Sequence, residues 1–346
     1  MPPPPTDLSA YLLSDQESSR IFASDILPAE LPPATTASPL PHQHESSSPP
    51  LALLTVGQTG AGKSVLSRAL LPALRRRHAH LASAPDAASS TAHLIADTFK
   101  THHPSFSHLM STAPHLASAA TGPDARRWLA MAVRHVAARR LDVLVESACR
   151  HPDDFAQLAL VFRRAGFRVE VLVLAVPAAL SRLGILLRFH ARLPEGQSRA
   201  LPVRLTPVRV HDESYAGLVD TTTFLDQSAV ADQVLVVRRG NLVAYGEERG
   251  PDERMAGGGG VAAALLRERE RPLTQDEVKI ALDDLQKLNQ FEDALEQAQQ
   301  VRAMLRPLMG HNPSTCTHLP ELVPLKFVRH GQGGIQAYNV LRLGQP

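Results

Sequence analysis

The sequence predicts an α/β fold in which helices cover both faces of a parallel sheet. Apolar runs rich in β-branched residues alternate with segments of helical spacing, as in parallel sheets, whose crossover connections are usually helices. The predicted strands lie at 51–56, 141–147, 169–176 and 232–239, with a weaker candidate at 92–97. The predicted helices between them lie at 65–76, 126–140 and 153–166. A glycine-rich stretch directly after the first strand marks the carboxyl ends of the strands as the ligand-binding edge.

An N-terminal segment precedes the predicted sheet. Residues 1–12, which contain four consecutive prolines, are expected to form a flexible leader. They have neither the basic region nor the apolar core of a secretory signal. Residues 14–31 begin as an amphipathic helix that opens with a capping box of Ser14 and Glu17. Pro28 is expected to end this helix.

The glycine-rich stretch GQTGAGKS at 57–64 completes the pattern G-x-x-x-x-G-K-[ST]. Glycines let successive backbone N–H groups turn inward and form an anion-binding nest at a helix N-terminus. Lys63 would reach the β- and γ-phosphates of a nucleoside triphosphate, and the Ser64 hydroxyl would ligate Mg²⁺. A chance glycine turn is the alternative, but the strand before the stretch and the helix after it argue against one. The expected nucleotide contacts are Gly57, Gln58, Thr59, Gly60, Ala61, Gly62, Lys63, Ser64 and Val65.

Two carboxylates at predicted strand ends are candidates for chemistry. Asp97 follows the weak strand candidate, where it could take a proton from an acceptor hydroxyl near the γ-phosphate. Local sequence equally allows Asp97 to be the N-cap of the next helix. Glu146 ends the strand LDVLVES and could bind acceptor hydroxyls or a Mg²⁺-bound water, with Arg150 four residues further on.

The segment 188–212 is dense in arginine. A solvated basic face is the ordinary explanation, but in a phosphate-loop protein such a segment can fold over the phosphates and stabilise the charge of the transferring group. Local sequence does not choose among the candidates. They are Arg182, Arg188, Arg192, Arg199, Arg204 and Arg209. The histidine groups lack the spacing and company of a zinc site, so surface or hydrogen-bonding roles are expected for them.

The C-terminal part of the chain has a different pattern. A glycine-rich linker is predicted at 251–262 and a helical extension at 263–346. Within the extension, Leu273–Met309 is expected to form one long helix or a helical hairpin, with apolar residues at roughly heptad spacing. This apolar face either packs on the preceding domain, which we favour, or binds a partner protein. A pair of strands is expected near 325–330 and 337–343.

Composition excludes several classes of function. The formal net charge is +2, so nothing in the overall balance calls for nucleic acid or an anionic membrane. No apolar run approaches the length that spans a bilayer. The two cysteines, Cys149 and Cys316, lie far apart without metal-ligand spacing, which is typical of reduced thiols in a cytoplasmic protein.

Several stretches, in order, resemble the zeta toxin family of P-loop kinases from about residue 12 to residue 246. A short helix, LSDQESSRIFASDILPAEL, precedes the phosphate loop GQTGAGKS. DTFKTHHPSF is similar to the family's D-x-[FL]-[KR]-x-x-H-P motif, and LVESACRHP to its strand ending in E-G-T-x-R. VLAVPAALSRLGILLRFH, RLTPVRVHDESYAGLVDT and QVLVVRRGNLVAYG resemble the later helix, the R-x-[TV]-P-x-x-x-H-D motif and the closing strand pair. The resemblance implies a P-loop kinase domain over 13–250.

The resemblance also implies an activity, because members of this family use ATP and Mg²⁺ to phosphorylate UDP-N-acetylglucosamine on a sugar hydroxyl. It implies that Asp97 is the general base and that Arg188 and Arg204 are the phosphate clamps. Many members are the toxin half of a toxin–antitoxin pair. The appended C-terminal helices, which lie outside the resemblance, separately favour contact with a protein partner. The acceptor-side contacts that the resemblance implies are Lys100, His103, Glu146 and Arg150.

The sequence departs from the family pattern after the strand-end glutamate, where Ser147 and Ala148 stand in place of Gly-Thr. Phe189 replaces the tyrosine that usually follows the helix arginine. These departures leave two alternatives to transfer onto a nucleotide sugar. One is a kinase for another nucleotide or dinucleotide, and the other is a nucleotide-binding interaction module without kinase activity.

Overall fold

The computed structural model describes residues 7–31, 49–82, 91–198, 204–248, 260–310 and 322. Its centre is one six-stranded sheet in the order β2-β3-β1-β4-β5-β6. β1 to β5 run parallel, as predicted, and β6 pairs antiparallel with β5 at the edge. The strands are β1 Leu51–Val56, β2 Ala92–Ile95, β3 Val143–Ser147, β4 Arg168–Leu174, β5 Gln233–Arg238 and β6 Leu242–Glu248. The weak candidate at 92–97 is therefore a strand over its first four residues, and its last two begin a helix.

Helices cover both faces of the sheet. The main helices are α1 Asp15–Ile21, α2 Leu27–Glu30, α3 Lys63–Ala82, α4 Ala96–Phe99, α5 Phe106–Thr112, α6 Pro114–Ala138, α7 Pro152–Arg164, α8 Ala178–Ser198, α9 Val208–Gln227, α10 Gly260–Glu270, α11 Gln275–Leu288 and α12 Leu295–Leu305. Alternate residues of β1 enter opposite cores, Ala52 and Leu54 on one face and Leu51 and Leu53 on the other. The first core contains α1, α6, α7, α9 and α10, and the second contains α3, α8, α11 and α12.

The N-terminal helix is longer than the sequence suggests. The Ser14 hydroxyl accepts from the Glu17 N–H, as expected of an N-cap, but the Glu17 carboxylate binds Arg20 instead of completing the capping box. The prediction that Pro28 ends this helix is wrong. A π-helical turn at Phe22–Ile26 shifts the hydrogen-bond register, so Pro28 falls in the first turn of α2, where no N–H donor is needed.

The C-terminal helices pack on the sheet domain. α10 lies against α9 and β5, and α11 and α12 form the helical hairpin that the sequence allowed for Leu273–Met309. Leu285 and Leu288 of α11 and Val301 and Leu305 of α12 belong to the same core as α3 and α8, so this face packs on the domain as favoured, whereas Leu282 and Leu295 are exposed. The Asp226 carboxylate at the end of α9 accepts from the Val261 and Ala262 N–H groups and so caps α10.

A buried ion-pair network ties the extension to the sheet. Arg238, at the end of β5, binds both carboxylate oxygens of Glu277 at 2.7 and 2.6 Å, and Glu268 at 3.3 Å. All three side chains are buried. Glu277 also accepts from the Thr274 N–H in a complete capping box at the start of α11. The strand that ends beside the phosphate loop and the two C-terminal helices are therefore held by one set of charges.

Some sequence predictions concern residues beyond the described part of the chain. Residues 1–6 of the leader lie outside it, whereas Leu8–Tyr11 forms a 3₁₀ turn capped by Asp7. Most of the predicted linker at 251–262 lies outside it, as does the predicted strand pair near 325–330 and 337–343. Among the helices that the structure describes, none has both the length and the apolar character needed to cross a membrane.

Candidate active site

The phosphate loop joins the carboxyl end of β1 to the N-terminus of α3. Gly60 and Gly62 have φ angles of +83° and +103°, which residues with a Cβ rarely adopt. A Cβ on Gly60 would also lie 2.1 Å from the carbonyl oxygen of Ser181, so the loop packs too closely against α8 for any other residue. Lys63 Nζ donates to the carbonyls of Gly57 and Gln58 at 2.7 and 3.2 Å. The ammonium group is thus held over the loop that would cradle the phosphates.

Ser64 and Glu146 bring two oxygen ligands together beside the loop. The Ser64 hydroxyl donates to Glu146 Oε2 at 3.1 Å, and His93 Nε2 lies 3.1 Å from Glu146 Oε1. Burial opposes ionisation of Glu146, but the hydrogen bond with His93 and the charge of Lys63 outweigh it, so the pKa of Glu146 is lowered. An ionised carboxylate and a hydroxyl suit Mg²⁺, which takes few protein ligands and completes its shell with water and substrate phosphates. The described residues contain no cluster of three or more metal-binding side chains, and this site would not need one.

Asp97 is available for chemistry because it does not cap a helix. α4 begins at Ala96 with Ile95 as its N-cap residue, so the alternative that Asp97 is the N-cap is wrong. The Asp97 side chain is 82% exposed and accepts from Lys100 Nζ, which also donates to Ser118. Desolvation would raise the pKa of Asp97, but the charges of Lys100, Lys63 and Arg204 lower it overall. The carboxylate is therefore ionised at neutral pH and surrounded by cations.

The structure distinguishes the candidate arginines by their surroundings, which local sequence could not do. Arg182 pairs with Asp212 and Arg209 pairs with Glu213. Arg188, Arg204 and Arg192 line a cavity of about 210 Å³ between α8 and α5, and Arg199 lies outside the described residues. Burial lowers the pKa values of both Arg188 and Arg204, each also lowered by neighbouring arginines and raised by Asp97. Within the described part of the chain neither Arg188 nor Arg204 has an ion pair, and both guanidinium groups share the electrostatic environment of Asp97.

The other two predicted acceptor-side residues, Arg150 and His103, also have structural partners. Arg150 Nε donates to Glu213 at 2.5 Å. His103 is buried, and both of its ring nitrogens are engaged: Nδ1 accepts from the Ser105 N–H, and Nε2 lies 3.1 Å from the Tyr11 carbonyl oxygen. The structure therefore does not bring the His103 ring into the cleft. Through its contact with Tyr11, His103 instead fixes the N-terminal segment beside α6.

Sequence reasoning missed the residues that hold the phosphate loop from behind. Arg239, just after β5, donates to the carbonyl oxygens of Gly60 and Leu180 at 3.0 and 2.6 Å. These bonds tie the Gly60 carbonyl of the phosphate loop to α8 and to the residue that follows β5. His211 of the His-Asp pair is buried and bonds Ser181 at 2.8 Å, so it has the hydrogen-bonding role expected of these histidines. In the sequence, the arginine pair in VVRR and the HD dipeptide were the signals that could have identified Arg239 and His211.

Comparisons with known proteins identify a family. The zeta toxin family model matches residues 36–249, which is more than half of the chain. Toxin PezT of Streptococcus pneumoniae serotype 4 is 24% identical over 201 residues, covering 58% of this chain and 73% of that protein. Toxin zeta of Enterococcus hirae is 22% identical over 196 residues, covering 57% of this chain and 63% of that toxin, slightly less than two thirds of its length.

A solved structure has the same fold. It comes from a characterisation of the PezAT chromosomal toxin–antitoxin system of Streptococcus pneumoniae. The similarity has a TM-score of 0.59 at 18% sequence identity and covers 82% of this chain and 98% of the other. The fold, the phosphate loop and the matched residues lead to one conclusion: the chain belongs to the zeta toxin family.

Proposed function

We propose that the protein is a kinase that transfers the γ-phosphoryl group of ATP to a hydroxyl of a nucleotide sugar such as UDP-N-acetylglucosamine. The observation that carries the proposal is the cluster at the carboxyl ends of β1 and β2. There an ionised Asp97 shares its surroundings with the cations of Lys63 and Arg204. Binding alone would need the phosphate loop and no ionised carboxylate beside it. Membership of the zeta toxin family supports phosphoryl transfer as the reaction.

Each residue of the cluster has a role in this reaction. The acceptor oxygen forms a bond to the γ-phosphorus while the bond to the β-phosphate oxygen breaks and ADP leaves. The Asp97 carboxylate takes the proton that the acceptor hydroxyl loses. Lys63, Arg188 and Arg204 neutralise negative charge on the phosphoryl oxygens, which is the main source of catalysis in such transfers.

Mg²⁺ belongs to the proposal because the residues present fit it. Ser64 and Glu146 offer a hydroxyl and an ionised carboxylate oxygen 3.1 Å apart beside the phosphate loop. Bound there with ATP, the metal ion would neutralise phosphate charge. His93 orients the Glu146 carboxylate through its other oxygen.

The identity of the acceptor has an alternative. Transfer to another nucleotide or dinucleotide is favoured by the turn after β3, where the family's Gly-Thr is Ser147-Ala148. The Ser147 hydroxyl accepts from the Cys149 N–H at 3.2 Å, and Cys149 has a φ angle of +52°. This hydroxyl therefore stabilises the turn, so it is a poor substitute for a threonine that binds a sugar.

The test measures ADP release by the purified protein with ATP and Mg²⁺, with and without UDP-N-acetylglucosamine. We expect sugar-dependent ADP release that is lost in Asp97→Ala and kept in Asp154→Ala, a control carboxylate that is about half exposed and pairs with Arg126. ADP release that responds only to another nucleotide would favour the rival acceptor. Sugar-dependent turnover that survives in Asp97→Ala would exclude Asp97 as the base.

The biological setting follows from the same proposal. The PezAT structure comes from a toxin–antitoxin system, and we infer that this chain is likewise a toxin that acts on cytoplasmic metabolites and is bound by a protein partner. Exposed apolar side chains on the C-terminal helices, Ile280, Leu282 and Leu295, offer a contact surface. Growth inhibition in bacteria that express the wild type but not Asp97→Ala is the expected result.

A further inference from the structure

Arg269 is a buried cation that the proposed reaction does not use. It lies in the last turn of α10, beyond residues 36–249 that match the family model. Only 4% of the residue is exposed. Arginine is rarely buried to this degree without a partner of opposite charge, so its surroundings call for an explanation.

The contacts of Arg269 lead to the phosphate loop. One terminal nitrogen donates to Gln58 Oε1 at 3.2 Å. The amide nitrogen of Gln58 donates in turn to the Val176 carbonyl at 2.6 Å, so both ends of this side chain are fixed. The guanidinium also stacks on Tyr215, with its central carbon 3.6 Å from the ring centroid. α10 therefore reaches a fully buried side chain of the loop itself.

The charge of Arg269 is not neutralised within the described residues. Its Nε and second terminal nitrogen are buried there without a hydrogen-bond partner, and no carboxylate forms an ion pair with it. Burial lowers the pKa of Arg269 to about 10, which still leaves it protonated at neutral pH. An uncompensated cation in a weakly screened interior attracts negative charge. A triphosphate bound in the loop would supply that charge.

We propose that Arg269 is a positioning residue for the nucleotide, which holds Gln58 in the binding conformation of the loop and places a buried positive charge behind it. The C-terminal extension is on this view a part of the ATP site. The inference rests on the proposed function only in taking ATP as the bound nucleotide, and it is independent of the acceptor.

The experiment measures ATP binding by calorimetry in the presence of Mg²⁺ and without acceptor, on the full chain. Arg269→Met should weaken binding about tenfold, the scale of losing one hydrogen bond from a charged donor. Arg267→Met on the same helix, an exposed arginine, should bind like the wild type. Arg269→Lys, which keeps the charge but not the planar fork, should lie between them. If Arg269→Met does not fold, the comparison of Arg269→Lys with the wild type still tests the proposal.

Two further readouts separate positioning from a merely structural role. Loss of folded protein would lower kcat, whereas a displaced loop should raise KM for ATP and change kcat little. Gln58→Met should weaken binding by itself, and adding Arg269→Met should then cost less than it does in the wild type, because the contribution that passes through Gln58 is already lost and only that of the buried charge remains. Fully additive losses, or wild-type affinity in Arg269→Lys and Arg269→Met, would overturn the proposal.

The outcomes distinguish this inference from the proposed function. A wild type that binds ATP but ignores UDP-N-acetylglucosamine would contradict the acceptor and leave the Arg269 comparison intact. A wild type that does not bind ATP would overturn both.

Discussion

Replacing Arg238 with methionine should destabilise the whole chain by an amount that the structure allows us to bound. Arg238 is 1% exposed and binds Glu277 through two hydrogen bonds and Glu268 through one. Removing one partner of a buried ion pair typically costs ~3–5 kcal/mol because a buried charge remains unpaired. Glu268 would keep Arg271 at 3.1 Å, and Glu277 would keep the Thr274 N–H. The lower end, about 3 kcal/mol, is therefore the expected loss.

Thermal unfolding followed by circular dichroism measures this loss. A chain of this size loses about 2 °C in Tm for each kcal/mol, so Arg238→Met should melt roughly 6 °C below the wild type. Arg302→Met, an exposed arginine on α12, is the matched control and should melt with the wild type. The double variant Arg238→Met/Glu277→Leu should recover much of the loss, because apolar groups can replace a buried pair. An unchanged Tm in Arg238→Met, or a double variant less stable than the single one, would refute the reasoning.

Two further predictions concern the loop and the sheet. Gly60→Ala should weaken ATP binding more than tenfold while the protein stays folded, because the added Cβ meets the Ser181 carbonyl and the left-handed φ angle costs a further ~1–2 kcal/mol; ATP titration checks this, and normal affinity would contradict it. Burial raises the pKa of Glu170 to about 7 despite Arg168, so the folded state holds a proton that the unfolded state releases near its ordinary value of about 4.3. Glu170 should therefore make the protein less stable as pH rises from about 4.3 to 7, and Glu170→Gln should remove that slope in denaturant unfolding; a slope that persists in the variant would exclude Glu170 as its source.

The sequence was most informative where local chemistry decides structure. A phosphate loop needs glycine at positive φ, a following lysine and a hydroxyl, so GQTGAGKS could be interpreted without a fold. The apolar runs predicted five parallel strands for a similar reason, because strands buried on both faces are continuously apolar. In both cases the residues that matter are neighbours in the chain.

Other features depend on residues that are distant in sequence. No residue near Arg238 in the sequence indicates that its partner is Glu277, which lies 39 positions away. His103 occupies a motif position, but its partner is the carbonyl of Tyr11, 92 positions earlier. Pro28 was misinterpreted because a π-helical turn leaves no clear signature in the sequence. These outcomes were set by packing, which propensities and motifs do not encode.

The antiparallel strand β6 has a consequence for the protein in concentrated solution. Without it, β5 would present a bare parallel edge whose backbone groups could pair with another chain. β6 covers that edge, and it ends in Glu247 and Glu248, whose charges discourage edge-to-edge association of two copies. Loss of the β6 pairing should therefore appear first as aggregation, at a point when β5 and the nucleotide site are still intact.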